Sequence, residues 1–536
     1  MTRTTESTGH GESRPRTVGG FVGAPSAARA AQLVRRAAGG ADSAPVDITA
    51  PFTGLLTATL PQATDADARK VFDEARAAQA AWAARPATER QRVLARLHTL
   101  VLQRQEEILN LVQLESGKAR IDAYDEVASA ALVAGYYGRH SARILASRRV
   151  AGVLPVLTSA RELRHPKGVV GIISPWNYPL ALTAMDVFPA LAAGNAVVQK
   201  PDNQTALSAL WLNELTEEAG LPSGVWRIVL GHGGQIGDAF VEEPDYLCFT
   251  GSTATGKKLA KQIAGRLTGY SLELGGKNPM LVLPDAPVAK AAAGAVAACF
   301  SSAGQLCVSV ERIYVHENIR EEFTRAFVAR TEALRLGAEL GYGADLGSLT
   351  TPAQLDSVSA HVADARAKGA RVLTGGRSRP EVGPLFYEPT VLTDVTRDMA
   401  VFAEETFGPV VSIYGYRDIE DAISRANDTG YGLNASVWAA SGSVGSTVAA
   451  RLKTGTVNVN EGFAATFGTV GLPMGGMKES GLGRRNGAEG LLKYTESQSV
   501  AVQRGLRLRP PRVIPPRLWT RGMSIGIRLL NRLPRR

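Results

Sequence analysis

The stretch Gly168-Val169-Val170-Gly171-Ile172-Ile173-Ser174-Pro175-Trp176-Asn177-Tyr178-Pro179 decides the fold class. A short apolar run stops at two closely spaced prolines, and the pattern from Pro179 to Leu191 then turns helical, which predicts a buried strand feeding a helix. The texture recurs downstream: Ala196-Val197-Val198 precedes a helical segment from Gln204 to Ala219, and Tyr246-Leu247-Cys248-Phe249 precedes another from Gly256 to Ile263. Strand and helix alternating at this spacing imply parallel βαβ units in a doubly wound sheet, so the class is α/β. Ligands then belong at the carboxyl ends of the strands.

Upstream, residues 65 to 145 are helical in pattern, with Ala-rich amphipathic stretches from Asp65 to Ala83 and from Glu89 to Glu115. Residues 1 to 45, rich in Ser, Thr, Gly, Ala and Arg, read as a mobile extension with one helix near Ala27 to Ala38. Downstream, a second alternating region from 285 to 475 has candidate strands at Val308 to Val315, Ala370 to Thr374, Glu388 to Leu392, Val410 to Tyr416 and Gly455 to Asn460. It reads as another α/β domain.

Composition narrows the class further. A chain of 536 residues exceeds the size at which single cores split, so two or three domains are expected. With 45% apolar and 21% charged residues it has an ordinary globular balance, and no run of 18 apolar residues predicts a spanning helix. The first residues lack an apolar signal core and carry Glu6 and Glu12, so a cytoplasmic location is expected. Three cysteines, Cys248, Cys299 and Cys307, are too few for a disulfide framework and lack zinc spacing, so no metal site is expected. The net charge of +10 equals the ten arginines between Arg504 and Arg536, a stretch without an acid. The excess therefore belongs to a tail, and no nucleic-acid partner is expected for the body.

Several motifs have two readings each. In Ser302-Ala303-Gly304-Gln305-Leu306-Cys307 the thiol follows a glycine turn, and Glu273 stands 34 residues upstream in Ser271-Leu272-Glu273-Leu274-Gly275-Gly276-Lys277. A nucleophile and its base would look like this, but a lone Cys more often packs as a small apolar group. Phe249-Thr250-Gly251-Ser252-Thr253-Ala254-Thr255-Gly256-Lys257 follows a strand and opens a helix, which suits a phosphate cradle as well as a plain turn. Its spacing resembles a P-loop, yet Lys258 stands where a hydroxyl should hold magnesium. Asn177 could donate to an oxyanion or merely bond its turn. Lys200, at the end of a strand, and Glu405, in Glu404-Glu405-Thr406-Phe407-Gly408-Pro409, are ambiguous alone.

Taken in order, Pro175 to Pro179, Gly251 to Gly256, Glu273 to Lys277, Gly304 to Cys307, Glu404 to Pro409 and Lys478-Glu479-Ser480-Gly481-Leu482-Gly483 resemble the aldehyde dehydrogenase superfamily over about residues 45 to 500. The resemblance implies a Rossmann-like cofactor domain (46–146 and 166–280), an α/β catalytic domain (281–480) and a small oligomerisation arm (147–165 and 481–503). These would be flanked by the flexible extension and a basic tail from 504 to 536. It implies that the Cys307 thiolate attacks an aldehyde while the Asn177 amide and the Cys307 backbone N–H hold the oxyanion. Hydride transfer to a nicotinamide would leave a thioester, hydrolysed by water that Glu273 activates. Relatives that pass the acyl group to a thiol usually lack this Glu.

The resemblance also places Ser174, Pro175, Trp176, Gly251 and Phe407 against the cofactor, Lys200 on the adenosine ribose, Ser252 on the pyrophosphate and Glu405 on the nicotinamide ribose. NAD-preferring members commonly carry Glu three residues after this Lys. Here Asn203 removes the repulsion a carboxylate would exert on a 2′-phosphate, which points to NADP, with NAD possible. Some relatives have Glu directly after the Arg of their Ser-Gly-x-Gly-Arg segment, thought to relay protons from the base. Here Arg485 follows Arg484, so the resemblance does not carry that relay over and the proton route stays open.

In texture the chain is similar to actinobacterial NADP-dependent succinate-semialdehyde dehydrogenases, through Gly275 to Met280 and Arg484-Arg485-Asn486-Gly487. A substrate carboxylate asks for a cationic anchor. Better-characterised succinate-semialdehyde enzymes place Arg six residues before the nucleophile and eight after the Asn, where this chain has Ser301 and Met185. The matching tunnel positions Tyr178, Ala181, Leu182, Met185, Phe463 and Phe467 are mostly apolar. Succinate semialdehyde is the leading expectation; a medium or long aliphatic or aromatic aldehyde is the alternative. An inactive scaffold is the remote third, and the presence of Cys307, Glu273 and Asn177 argues against it. A homodimer or tetramer is implied. A helix from Trp519 to Arg535 would set Arg521, Arg528, Arg532 and Arg535 opposite Trp519, Met523, Ile527, Leu530 and Leu533, suiting either an anionic membrane surface or packing on protein.

Overall fold

The computed structural model describes residues 23–40, 43–153, 157–504 and 509–530. They form two compact units, one drawn from residues 1–144 and 166–494, the other from 145–165 and 495–536.

In the first unit, helix Asp65–Ala83 begins with a capping box: the Thr64 hydroxyl accepts from the Asp67 N–H and the Asp67 carboxylate accepts from the Thr64 N–H. The single helix expected from Glu89 to Glu115 is two, Ala87–Gln103 and Gln105–Ser116, because Arg104 leaves helical dihedrals at φ −106° and ψ 22°. The first piece buries one face, through Arg90, Val93, Leu94, Leu97 and Val101. The second is buried all round from Leu111 to Ser116, so the break turns a surface helix into an interior one. Helix Arg120–Leu145 completes this layer.

A six-stranded sheet follows, in the order Gly481–Leu482, Gly269–Glu273, Tyr246–Thr250, Val169–Ser174, Ala196–Pro201, Trp226–Ile228. All neighbours are parallel except the short edge strand Gly481–Leu482. The chain winds outward in both directions from the seam between Val169–Ser174 and Tyr246–Thr250. Such a seam is a topological switch point, where a crevice opens at the strand carboxyl ends. The seven-stranded sheet runs Arg371–Thr374, Thr390–Thr393, Val410–Tyr416, Val310–His316, Asn278–Val282, Asn434–Trp438, Thr456–Val459, parallel but for its first pair. Its core of Met280, Val282, Ile313, Val315, Val391, Val411 and Val437 is continuous with helix Val288–Phe300.

Of the expected mobile extension, residues 1–22 and 41–42 lie outside the described residues. Residues 23–40 correct the expectation for their part, since they pack on the first unit. Helix Ala27–Val34 buries Ala30 and Leu33, Arg29 pairs with Glu107 and Glu214, and the Ala38 N–H donates to the Ile228 carbonyl. The second unit contains a three-stranded sheet ordered Thr495–Gln503, Thr158–Pro166, Arg148–Ala151, and helix Pro516–Leu530. Residues 481–494, expected in the arm, belong to the first unit. No helix among the described residues is long and apolar enough to cross a membrane.

Candidate active site

One cavity in the first unit is lined by Pro175, Trp176, Asn177, Leu182, Gly251, Ser252, Glu273, Cys307, Glu405 and Phe407, together with Thr250, Leu274, Gly275 and Gln354. It sits at the switch point, because Pro175 to Asn177 leave one strand of the seam and Gly251 and Ser252 leave the other.

Cys307 arrives on a strained loop. Ser302, Ala303 and Gly304 are all left-handed, with φ of 55°, 55° and 70°. The conformation costs about 1–2 kcal/mol per non-glycine residue. At Gly304 a Cβ would come 2.1 Å from the Gly408 carbonyl oxygen, so no side chain fits. The Asn177 side-chain amide donates to the Gln305 carbonyl at 3.0 Å, two residues from the thiol, and the Asn177 backbone carbonyl accepts from Lys118 Nζ at 2.7 Å. Lys118 is buried and paired with Glu126 at 2.6 Å, while Glu126 also accepts from the Leu180 and Ala181 N–H groups. A carboxylate on the first turn of helix Pro179–Ala192 thus braces the turn that carries Asn177.

Glu273 ends its strand opposite Thr250, and its Oε1 is buried without a hydrogen-bond partner. The two glycines that follow serve close approaches: a Cβ on Gly275 would lie 2.2 Å from the Glu405 carboxylate, and one on Gly276 would lie 2.7 Å from the Cys307 carbonyl oxygen. The Glu273 to Lys277 segment therefore locks the Glu273 strand, the thiol and Glu405 together. Glu405 accepts from the Gly276 N–H at 2.8 Å. Its loop is held by Glu311, paired with Lys277 in the interior and accepting from the Thr406 and Phe407 N–H groups. The Gln354 amide donates to the Phe407 carbonyl at 2.6 Å, and the Phe407 ring meets Trp176 edge-on at 5.6 Å.

The electrostatics are acidic. Burial pushes Glu273 up to about 7, with Arg485 and Lys493 opposing, and pushes Glu405 up to about 8. Burial likewise pushes the Cys307 thiol up to about 12, with Glu273 and Glu405 adding and Arg485 opposing. Two carboxyls protonated near neutrality burden a thiolate less than two carboxylates would. Cys248 and Cys299 are buried, whereas Cys307 is partly exposed.

Other candidates lie off this lining. Ser174 accepts from the Gln199 amide at 2.8 Å inside the sheet. Lys200 and Asn203 stand at the end of the next strand. The Lys200 ammonium has a 3.4 Å contact with the Pro201 carbonyl and is shifted down by burial. The Asn203 Nδ2 donates to Gln62 at 2.9 Å, while its buried Oδ1 has no partner. Tyr178, Phe467 and Phe463 form an aromatic cluster with centroids 6.3 and 6.5 Å apart, and Met185 is wholly enclosed in its helix. Sequence reasoning passed over Gln354 and Thr250, a glutamine on a helix and a threonine inside a recognised loop, neither of which carries a compositional signal. Among the described residues no group of His, Cys, Asp or Glu could hold a metal ion.

Fold and cavity together define a class: an α/β protein presenting one accessible thiol beside a buried carboxyl at the switch point of a dinucleotide-type sheet. The chain belongs to the aldehyde dehydrogenase family, whose model matches residues 39–500. It is 52% identical over 485 residues (90% of this chain, 94% of the relative) to a protein of Mycobacterium ulcerans (strain Agy99) provisionally named succinate-semialdehyde dehydrogenase [NADP(+)] 2. It is 37% identical over 466 residues (86% and 87%) to the mitochondrial succinate-semialdehyde dehydrogenase of Oryza sativa subsp. japonica. The crystal structure of betaine aldehyde dehydrogenase from Staphylococcus aureus in complex with NAD+ superposes with a TM-score of 0.84 at 30% identity, covering 90% of this chain and 98% of that one.

Proposed function

We propose that this protein oxidises succinate semialdehyde to succinate with NADP+ as the preferred acceptor and NAD+ as a usable one. The observation that carries the substrate and nucleotide is the 52% identity, over nine-tenths of the chain, to the mycobacterial relative of that name.

In this reading Cys307 attacks the aldehyde carbon as thiolate, and the resulting oxyanion takes hydrogen bonds from the Asn177 amide and the Cys307 N–H. One Asn177 N–H is spent on Gln305, which fixes the plane of the amide and leaves the second to donate. A nicotinamide held by Glu405 and Phe407 would supply the hydride acceptor at this point, and the carbon held by the Cys307 sulfur would remain as a thioester. Glu273 takes a proton from water, the hydroxide adds to the thioester, and its collapse returns the thiol and releases the acid. The carboxylate form of Glu273 does this work, so turnover limited by hydrolysis rises with pH through about 7.

The residues fit a dinucleotide. Ser252 caps helix Thr253–Ile263, whose N-terminus suits a pyrophosphate, and the unpartnered Asn203 Oδ1 with the weakly held Lys200 ammonium suits a ribose. Glu405 and Phe407 would hold the nicotinamide end. Leu182, Tyr178, Phe463 and Met185 stand as the substrate-side residues of this reading. The division into cofactor domain, catalytic domain and arm, a homodimer or tetramer, and a cytoplasmic location complete it. Helix Pro516–Leu530 exposes Leu518, Ile525, Ile527 and Leu529 beside Arg517, Arg521 and Arg528, which supports contact with an anionic membrane surface. Residues 531–536 lie outside the described residues.

The experiment compares kcat/KM for succinate semialdehyde and octanal with each nucleotide. Succinate semialdehyde with NADP+ should give the highest value; a preference for octanal overturns the substrate, since no basic side chain is among the described residues lining the cavity. Sedimentation with phosphatidylserine liposomes, with and without residues 510–536, tests the tail. Equal partitioning of the two forms removes the membrane contact.

A further inference from the structure

Off the cavity lining, and bonded to Thr250 and to Ser271 of the Glu273 strand, lies a buried group of two cations and one anion. Arg485 bridges to Asp186 through Nε at 3.0 Å and Nη2 at 2.5 Å, and Nη2 also donates to the Thr250 hydroxyl. Lys493 Nζ reaches Asp186 at 3.3 Å and the Ser271 hydroxyl at 3.3 Å, and the Tyr494 hydroxyl donates to the same Asp186 oxygen at 3.3 Å. Arg485 and Asp186 are each 3% exposed and Lys493 10%. The backbone of Arg485 is pinned as well, exchanging N–H and C=O bonds with Met474.

Such a group holds one uncompensated positive charge in the interior, which is costly unless an anion lies near. Burial raises Cys248, Tyr246 and Tyr494, so these neighbours stay neutral. Glu273 is the remaining acid near this group. It stands opposite Thr250 in the sheet register, and Arg485 is tied to the Thr250 hydroxyl. Around Glu273 the charged and titratable groups are Arg485, Lys493, Asp186 and Arg484 from off the cavity lining, and Cys307 from the cavity, with Glu405 facing Cys307 in turn.

We propose that Arg485 is a positioning residue: a guanidinium fixed by Asp186 and Thr250 that serves as the permanent counter-charge of the Glu273 carboxylate. A guanidinium does not give up its proton in proteins, so position 485 cannot carry protons onward from the base. The inference rests on Glu273 being the base of thioester hydrolysis, as proposed above.

The test follows hydrolysis of p-nitrophenyl acetate without nucleotide. The Cys307 thiolate attacks the acetyl carbon and p-nitrophenolate leaves in a burst; water then hydrolyses the acetyl thioester in the steady state. In the parent enzyme the steady rate rises with pH along one limb. Arg485→Gln should keep the burst and move that limb upward by about one pH unit, a tenfold loss below the limb that is recovered above it. Arg485→Lys should restore the parent midpoint, and Lys493→Gln should give a smaller upward shift. An unmoved midpoint in Arg485→Gln, or a loss equal at every pH, overturns the proposal. If Arg485→Gln gives no burst, Lys493→Gln decides, and a parent midpoint there overturns it. Glu273→Gln separates the two readings: burst without turnover supports the base, whereas persistent turnover sinks the base assignment itself.

Discussion

The two sheets of the first unit meet the cavity from opposite strand ends. The six-stranded sheet offers carboxyl ends: Pro175 to Asn177 follow one strand, and Thr250 to Ser252 and Glu273 to Gly275 begin on the last residue of two others. The seven-stranded sheet offers the residues just before strands, Cys307 ahead of Val310–His316 and Glu405 and Phe407 ahead of Val410–Tyr416. Two of these ends feed helices, Pro179–Ala192 and Thr253–Ile263, whose first N–H groups and partial positive charge come with the geometry, so that side is inexpensive to build and suits an anionic cofactor. The other side has no such help. It relies on left-handed Ser302, Ala303, Gly304 and Phe407 and on the buried Lys277–Glu311 pair. Strain is concentrated where the thiol is presented, which is the usual place for it.

Mutations on the two sides should differ in kind. Removing the thiol has the largest effect: Cys307→Ser is expected to lower kcat on the order of 10⁴-fold or more with Tm little changed, read by NADPH absorbance and a thermal melt. Residual activity within tenfold of the parent would move the nucleophile elsewhere. Glu273→Gln follows, with hydrolysis slowed by about 10²–10⁴ and the acyl-enzyme accumulating. Its stability should move the other way. The folded-state pKa of Glu273, about 7, lies above the ordinary value of 4.5, so the native carboxyl keeps a proton that the unfolded chain releases. Parent stability therefore falls as pH rises between these values. The Tm of Glu273→Gln relative to the parent should accordingly grow from pH 5 to pH 8, and a constant difference would refute the linkage.

This asymmetry explains what could be read in advance. Runs such as Val169 to Ser174 and Tyr246 to Thr250 announce themselves because a strand buried on both faces is continuously apolar, and the rule about carboxyl ends then points to Asn177, Ser252 and Glu273 before any coordinates. Nothing comparable points to Cys307 or Glu405, which were found through a family pattern. Their supports, Gln354 and Glu311, are residues whose meaning is wholly tertiary. The break at Arg104 was invisible for a related reason: both flanking helices have good propensity, and only the depth of burial of Leu111 to Ser116 tells them apart. Asp186 sits in a helix otherwise composed almost entirely of apolar residues, and its partners Arg485 and Lys493 lie about 300 residues away.

Alanine at one glycine on each side sharpens the contrast. Gly304→Ala puts a Cβ 2.1 Å from a backbone oxygen at a residue with φ of 70°. Backbone cannot swing aside, so the Cys307 loop must shift, and a displacement of this size costs about 10² in rate. We expect kcat/KM to fall about hundredfold with a lower Tm. Gly251→Ala meets the tip of the Phe249 ring, at 2.6 Å, a side chain rather than backbone, so the crowding falls on core packing and not on the Cys307 loop. Here KM for the nucleotide should rise several-fold. Equal losses in both variants would mean that the two sides are built alike.

The smallest effect belongs to the far end of the cofactor side. Asn203 bonds Gln62 through Nδ2 and leaves Oδ1 unpartnered just past strand Ala196–Pro201, which carries Lys200. Asn203→Glu places a carboxylate there. Toward a 2′-phosphate this adds like-charge repulsion, and toward a plain 2′-hydroxyl it adds an acceptor, so the two nucleotides should respond in opposite directions. A change of about 1.4 kcal/mol in their relative binding would shift the NADP+ to NAD+ ratio of kcat/KM about tenfold toward NAD+. The kcat with saturating nucleotide should stay near that of the parent, because the substitution is remote from Cys307 and the strained loop. A fall in kcat with an unchanged nucleotide ratio would show instead that this strand end communicates with the thiol side, and the division between a readily built cofactor side and a strained catalytic side would fail at its most distant point.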